Sequence, residues 1–252
     1  MPSLVLFEDS HHRNILLEDF GRGQAVQANQ HLIIHDGAGM LLDPGGHKVY
    51  GQALSETLQH LGRGKLEHLF FSHQDPDIVA AANGWLMTTE ATGWVPSLWL
   101  RFIPHFGLDS LVADRLKPIG DGGMILDLNG CKLTILPAHY LHSPGNCQVY
   151  DPRSKILYSG DLGASLGMTY QEVENFDAHL AYMTGFHQRY MTSNKAMRAW
   201  AKLARQLDIE LIAPQHGAFF RGKPMVERFI AWCEGLQCGV DLIPESGWTL
   251  PT

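Results

Sequence analysis

Apolar residues fall in short alternating runs through the first part of the chain, the pattern of half-buried strands. Leu4 to Phe7, Ile15 to Leu17, Gln30 to His35 and Gly39 to Asp43 are predicted strands, and Asp43-Pro44-Gly45-Gly46 is a strong turn signal. The period then changes. Val49 to Leu61 reads as an amphipathic helix, with Gly62 placed to cap its end. A denser apolar run, Leu66 to Phe71, predicts a buried strand that stops at Ser72-His73-Gln74-Asp75-Pro76-Asp77. Ile78 to Thr88 reads as the next helix, with Asp77 as N-cap.

Ser97 to Ile103, rich in aromatic and aliphatic residues, predicts another strand, and Trp85, Trp94, Trp99 and Phe102 are expected in core packing. Gly120-Asp121-Gly122-Gly123 is a turn, and no helix follows to make it a phosphate loop. Ile125 to Leu128 and Cys131 to Leu136 form a hairpin across Asn129-Gly130, a type I′ dipeptide. Cys147 to Tyr150 and Lys155 to Tyr158 form a second through Asp151-Pro152. A helix over Thr192 to Leu207 is capped by Ser193 or Asn194. Glu210 to Ala213 is a strand, Lys223 to Leu236 an amphipathic helix, and Ile243 to Thr252 an aperiodic tail along the surface.

No linker, repeat or low-complexity segment divides the 252 residues, so one domain over residues 1–252 is expected. A net charge of −7 argues against a nucleic-acid surface. Met1-Pro2-Ser3-Leu4 has no basic start of a signal peptide, and no apolar run nears the roughly 20 residues of a membrane span, so a cytoplasmic protein is expected. Cys131, Cys147, Cys233 and Cys238 show neither zinc nor redox spacing and are expected as reduced core thiols. Of the 14 histidines, His11 and His12 are predicted in a solvated loop, and His31 and His35 have no assigned role.

Four predicted strands end on metal-type ligands: His73, Asp75 and Asp77 after the first, His142 after the second, Asp161 after the third and His216 after the fourth. A sheet places such loops along one edge, where clefts form. One imidazole and two carboxylates that close to each other call for cations between them. Three imidazoles and three carboxylates without a thiolate suit iron or manganese, while zinc is admitted because its intrinsic affinity exceeds that of Fe(II).

The pattern resembles the metallo-β-lactamase superfamily, an αββα four-layer sandwich. Its first motif, H-x-[HED]-x-D-H, corresponds to His73-Gln74-Asp75-Pro76-Asp77-Ile78, and its later His, Asp and His to His142, Asp161 and His216. Zinc hydrolases usually carry His at the third motif position, whereas flavodiiron proteins carry a carboxylate, as Asp75 does here. Leu141-His142-Ser143-Pro144 and Ile212-Ala213-Pro214-Gln215-His216-Gly217 also look like flavodiiron sequence. The likeness is to their diiron domain without the FMN domain, and so to stand-alone oxygen-binding diiron proteins.

The resemblance implies two iron ions. His73, Asp75 and His142 would hold the first, Asp77 and His216 the second, with Asp161 bridging. Ile78 stands where the family often has a ligating His, which would leave the second iron a position for water, peroxide or O2. His139, offset from the motif, is expected either to support a ligand from behind or to be structural. The implied function is binding of O2 as a diferric peroxo species, for sensing or carriage, with Tyr140, Tyr182 and Tyr190 as candidate hydrogen-bond donors. The alternatives are reduction of O2 or NO with an external electron donor, and a binuclear zinc hydrolase. A homodimer and a separate redox or signalling partner are also implied.

Overall fold

The computed structural model describes residues 3–17 and 26–251, so Met1, Pro2 and Thr252 of the terminal readings lie outside the described residues. Among the described residues the first sheet is seven-stranded, in sequence order. Its strands are β1 (Leu4–Glu8), β2 (His12–Leu16), β3 (His31–His35), β4 (Ala38–Leu42), β5 (Lys65–Phe70), β6 (Thr92–Pro96) and β7 (Leu116–Ile119). The first four pair antiparallel, and β4 to β7 run parallel. Helices α1 (Tyr50–Leu61), α2 (Pro76–Val79), α3 (Ala82–Thr88) and α4 (Ser97–Leu100) fall between the parallel strands, as parallel crossovers require.

The second sheet contains β8 (Met124–Leu128), β9 (Cys131–Pro137), β10 (Cys147–Asp151), β11 (Ile156–Gly160), β12 (Leu211–Pro214) and β13 (Phe220–Arg221) in the order β13-β12-β11-β10-β9-β8. Its helices are α5 (Phe176–Tyr190), α6 (Asn194–Ala204) and α7 (Lys223–Gly235). Three apolar layers fix the stacking. Leu69, Phe71 and Trp85 join α1 and α3 to the outer face of the first sheet. Ile33, Met40, Leu133 and Val149 fill the space between the sheets. Met183, Trp200 and Phe229 bury α5, α6 and α7 against the second sheet. The result is the expected αββα sandwich.

Both hairpins form as read. Leu128 pairs with Cys131 across Asn129 and Gly130, which have φ of 51° and 95°. Ser193 caps α6 by accepting the Ala196 N–H. Strands β6 and β7 and helix α5 were not predicted, β2 begins at His12 inside the fold, and two predicted elements take another form. The segment starting at Ser97 is helical, because β6 has already ended at Pro96, whose φ of −51° turns the chain, and the Ser97 and Leu98 side chains are exposed. The predicted helix over Ile78 to Thr88 is broken at Ala80-Ala81 into α2 and α3. Pro76 occupies the first helical position, which makes Asp75 the N-cap residue in place of Asp77.

Candidate metal centre

All six predicted ligands converge at one edge of the sandwich. Each follows the C-terminal end of a strand: β5 delivers His73, Asp75 and Asp77, β9 leads to His142, β11 to Asp161 and β12 to His216. Donor atoms of His73, Asp75, His142 and Asp161 lie within 4.8 Å of one another. Asp161 is central. Its Oδ2 is 2.9 Å from His142 Nε2, and its Oδ1 is 3.8 Å from His73 Nε2 and 3.6 Å from His216 Nε2. Asp75 Oδ2 stands 3.4 Å from His142 Nε2, and Asp77 Oδ2 stands 3.5 Å from His216 Nε2.

The surroundings aim these groups. Ser72 Oγ occupies His73 Nδ1 at 2.9 Å, which leaves Nε2 for the centre. His216 Nδ1–H donates to the Gln27 carbonyl, with the same result. Asn29 Nδ2 donates to the carbonyls of Pro214 and Gly217, holding the His216 loop. A relay runs from Trp99 Nε1–H to Ser143 Oγ, from that hydroxyl to Gln74 Oε1, and from Gln74 Nε2–H to Asp75 Oδ1. It fixes one oxygen of Asp75 and frees the other. Gly217 has φ of +81°, and a Cβ there would collide with Ser165.

Charge reinforces the geometry. Burial disfavours the His142 imidazolium, but Asp161 and Asp75 outweigh it and push its pKa up to about 10. Burial opposes ionisation of Asp161, yet the facing histidines bring its pKa down to about 2. Burial raises Asp77. Among the described residues, His73 Nε2 and Asp161 Oδ1 are buried without any hydrogen-bond partner, although buried polar atoms are normally satisfied. An imidazole nitrogen and a carboxylate oxygen, each buried with a free lone pair to offer in a cluster of oxygen and imidazole ligands, fit a metal ion between them.

The centre opens into a cavity of about 590 Å³ whose walls include Val26, Val49, Leu166, Phe186 and Tyr190. Of the three tyrosines considered above, only Tyr190 lines it, edge-on to His142 with ring centroids 5.8 Å apart. His139 points away and donates to the Asp121 carbonyl at 2.9 Å. Ile78 is fully buried in the core beneath α1 and α3. His187 on α5 escaped the sequence reading. Its Nε2 accepts the Gly163 N–H at 2.9 Å while Nδ1–H donates to the Met183 carbonyl, and so it anchors the loop carrying Asp161. A His four residues after Met183 on one helix face was the available signal.

An αββα sandwich with a His/Asp cluster beyond the strand ends defines a metallo-β-lactamase-like protein of flavodiiron type. The sequence model of the ODP family beta lactamase matches residues 26–217. The chain belongs to this ODP family. It is similar to a chemotaxis sensor ODP solved as its peroxy diiron species, with 40% identity and a TM-score of 0.86 over 96% of this chain and 98% of that one. The apo state of chemotaxis sensor ODP from T. denticola also has 40% identity, with a TM-score of 0.84 over 95% and 97% of the two chains. A metal-soaked flavodiiron core from Synechocystis sp. shares the fold at 17% identity and a TM-score of 0.75, over 92% of this chain and 60% of its own. Diflavin flavoprotein A 1 of Synechocystis sp. is 26% identical over 227 residues, 86% of this chain, which spans only 38% of that relative. Among the described residues no helix is long and apolar enough to cross a membrane.

Proposed function

We propose that this protein binds O2 at a non-haem diiron centre and serves as an oxygen sensor. The observation that carries the reading is the convergence of three imidazoles and three carboxylates, with His73 Nε2 and Asp161 Oδ1 lacking hydrogen-bond partners among the described residues. His73, Asp75 and His142 would hold one iron and Asp77 and His216 the other. Asp161 stands between the two sets, its Oδ2 2.9 Å from His142 and its Oδ1 3.8 Å from His73 and 3.6 Å from His216, and so would bridge. A ferrous pair would supply two electrons to bound O2, one from each ion.

The chain's own residues do the rest. The carboxylates neutralise the cations, the Trp99–Ser143–Gln74 relay orients Asp75, and apolar walls limit water near the ligand position. Sensing is preferred over reduction because the relatives of 40% identity, matched over nearly their whole length, are chemotaxis sensors. A signalling partner, a homodimer and a cytoplasmic location belong to the same reading.

The test is anaerobic loading with Fe(II), metal analysis and exposure to O2 under an optical spectrometer. The expected result is about two irons per chain and a new charge-transfer band that appears with O2 and disappears when O2 is removed. Stoichiometric zinc after growth in iron-replete medium, or loaded protein without an optical response to O2, overturns the reading.

A further inference from the structure

A second cluster of metal-type donors lies at the opposite end of the sandwich. His12 opens β2 and pairs in register with His35, the last residue of β3. Cys131 opens β9 on the facing sheet, and the far end of that strand, about 20 Å away at 3.3–3.4 Å per residue, leads to His142. We propose that His12, His35 and Cys131 bind one thiophilic divalent ion of the zinc class, joining the two sheets at this end.

Geometry carries the assignment. One donor atom from each residue lies within 4.8 Å of the others, and the two Nδ1 atoms are 3.2 Å apart. Bond lengths of about 2.0–2.1 Å to nitrogen and 2.3 Å to sulfur place tetrahedral ligands roughly 3.3–3.6 Å from one another, so small side-chain adjustments close the site. All three residues are buried, with exposures of 1%, 6% and 8% for His12, His35 and Cys131.

Both imidazoles carry a carboxylate behind the ring. His12 Nε2–H donates to Asp151 Oδ2 at 2.7 Å, and Asn14 Nδ2 and Ser154 Oγ donate to the same oxygen. That contact places the His12 proton on Nε2 and leaves the Nδ1 lone pair facing His35. His35 Nε2 lies 3.7 Å from Asp36 Oδ2, beyond hydrogen-bond distance but near enough for a small side-chain rotation to bring that carboxylate to the Nε2 proton once Nδ1 binds metal. Carboxylates that orient metal-bound histidines act in this way. An entry path exists, since His12 also lines a polar surface cavity of about 250 Å³ with Asp9, His11, Arg13 and Asp36.

Softness separates the two centres. The first offers no thiolate, whereas this one offers sulfur with two nitrogens, a set that favours zinc over Fe(II) or Mn(II). On binding, the Cys131 S–H bond breaks, its proton leaves to solvent, the thiolate sulfur bonds the ion, and water takes the fourth position. No oxidation state changes. The ligands come from three strands of two sheets, which explains why cysteine spacing gave no hint of them.

The experiment titrates the iron-loaded full chain with Co(II). A thiolate-to-cobalt charge-transfer band should grow to about one equivalent and vanish on adding Zn(II). The first centre cannot produce this band, so the result does not depend on what that centre binds. Cys131→Ser should abolish the band and Cys147→Ser should keep it. Asp151→Asn should weaken the affinity about tenfold or more. His35→Gln, which leaves the thiol intact, should also lose the band and covers the case in which Cys131→Ser fails to fold. Absence of the band in the parent protein, or its survival in Cys131→Ser or His35→Gln, overturns the proposal and leaves a His12–His35 hydrogen bond as the whole role of the cluster.

Discussion

Ile78→His separates two accounts of the first motif. In related motifs a His at this position serves the second metal, and an added imidazole would then tighten metal binding and compete with O2. The structure gives a different expectation. Ile78 is fully buried and packs in the layer that contains Leu69, Phe71, Val79 and Trp85. Its neighbours Asp75, Asp77 and Ala80 line the metal cavity, so the short helix α2 turns Ile78 to its other face. Replacing Ile here forfeits roughly 1.5–3 kcal/mol of apolar burial. Leaving an imidazole nitrogen unsatisfied in that layer costs roughly 1–3 kcal/mol more. The ring's own carbon burial recovers part, so a net loss of about 3 kcal/mol is expected, or about 6–12 °C in Tm for a chain of this size. Ile78→Val, which keeps the shape, should lose only about 0.5–1.5 kcal/mol. The assays are thermal unfolding and metal retention against a chelator, run on parent and variants together. A variant with the parent's Tm that holds metal more firmly would refute the argument, because the side chain would then have left the core for the metal.

Three further outcomes follow from the buried polar groups. Burial pushes the Asp43 carboxyl up to about 6 even though it accepts the Ser72 N–H at 2.8 Å. The folded pKa lies above the unfolded value, so stability falls as pH rises from about 4 to 6 and stays lower above that, by at most about 3 kcal/mol; metal-free Asp43→Asn should match the parent at pH 4 and exceed it at pH 8 in urea unfolding. His142, held protonated up to about pH 10 by Asp161 and Asp75 against its burial, must lose that proton to bind metal. Metal loading in unbuffered solution at pH 7 should therefore release protons and affinity should rise with pH, whereas pH-independent affinity between 6 and 9 would contradict the geometry. His187→Phe fills the space but strips the Gly163 N–H of its acceptor, so a loss of about 1–3 kcal/mol and faster metal release to a chelator are expected, and unchanged retention would remove His187 from the support of Asp161.

The first sheet was legible where its strands obey a simple rule. β3, β4 and β5 are apolar runs bounded by turn residues, and the ligands following β5, β9, β11 and β12 stand out because carboxylates and histidines rarely cluster after apolar strands without cause. β7 was not legible. Its sequence Leu-Lys-Pro-Ile contains Pro118, which a reader treats as evidence against a strand, yet β7 is the edge of the sheet, where a missing N–H costs nothing. His12 was misread for a related reason. In β2 the buried positions include His12 and Asn14, polar residues that suggest a solvated loop. They are inside because Asp151, far away in sequence, accepts from both.

Helix α5 extends the same lesson to the metal centre. Its buried positions are Phe176, His179, Met183 and His187, at spacings of three and four that suit one helix face. Two of the four are histidines, so a hydrophobicity count sees little amphipathic order in the segment. His187 is satisfied at both ring nitrogens, bridging Met183 and Gly163, whereas His179 has the Tyr170 hydroxyl on Nδ1 at 2.8 Å and, among the described residues, no partner on Nε2. Gly163, held by His187, lies two residues beyond Asp161, and the end of the same helix brings Phe186 and Tyr190 to the cavity wall. The helix that is least visible in the hydrophobic pattern is therefore tied to the central carboxylate. Both facts have one cause, since a polar group that braces a buried site must itself be buried and satisfied, and the residue that satisfies it is seldom near in sequence.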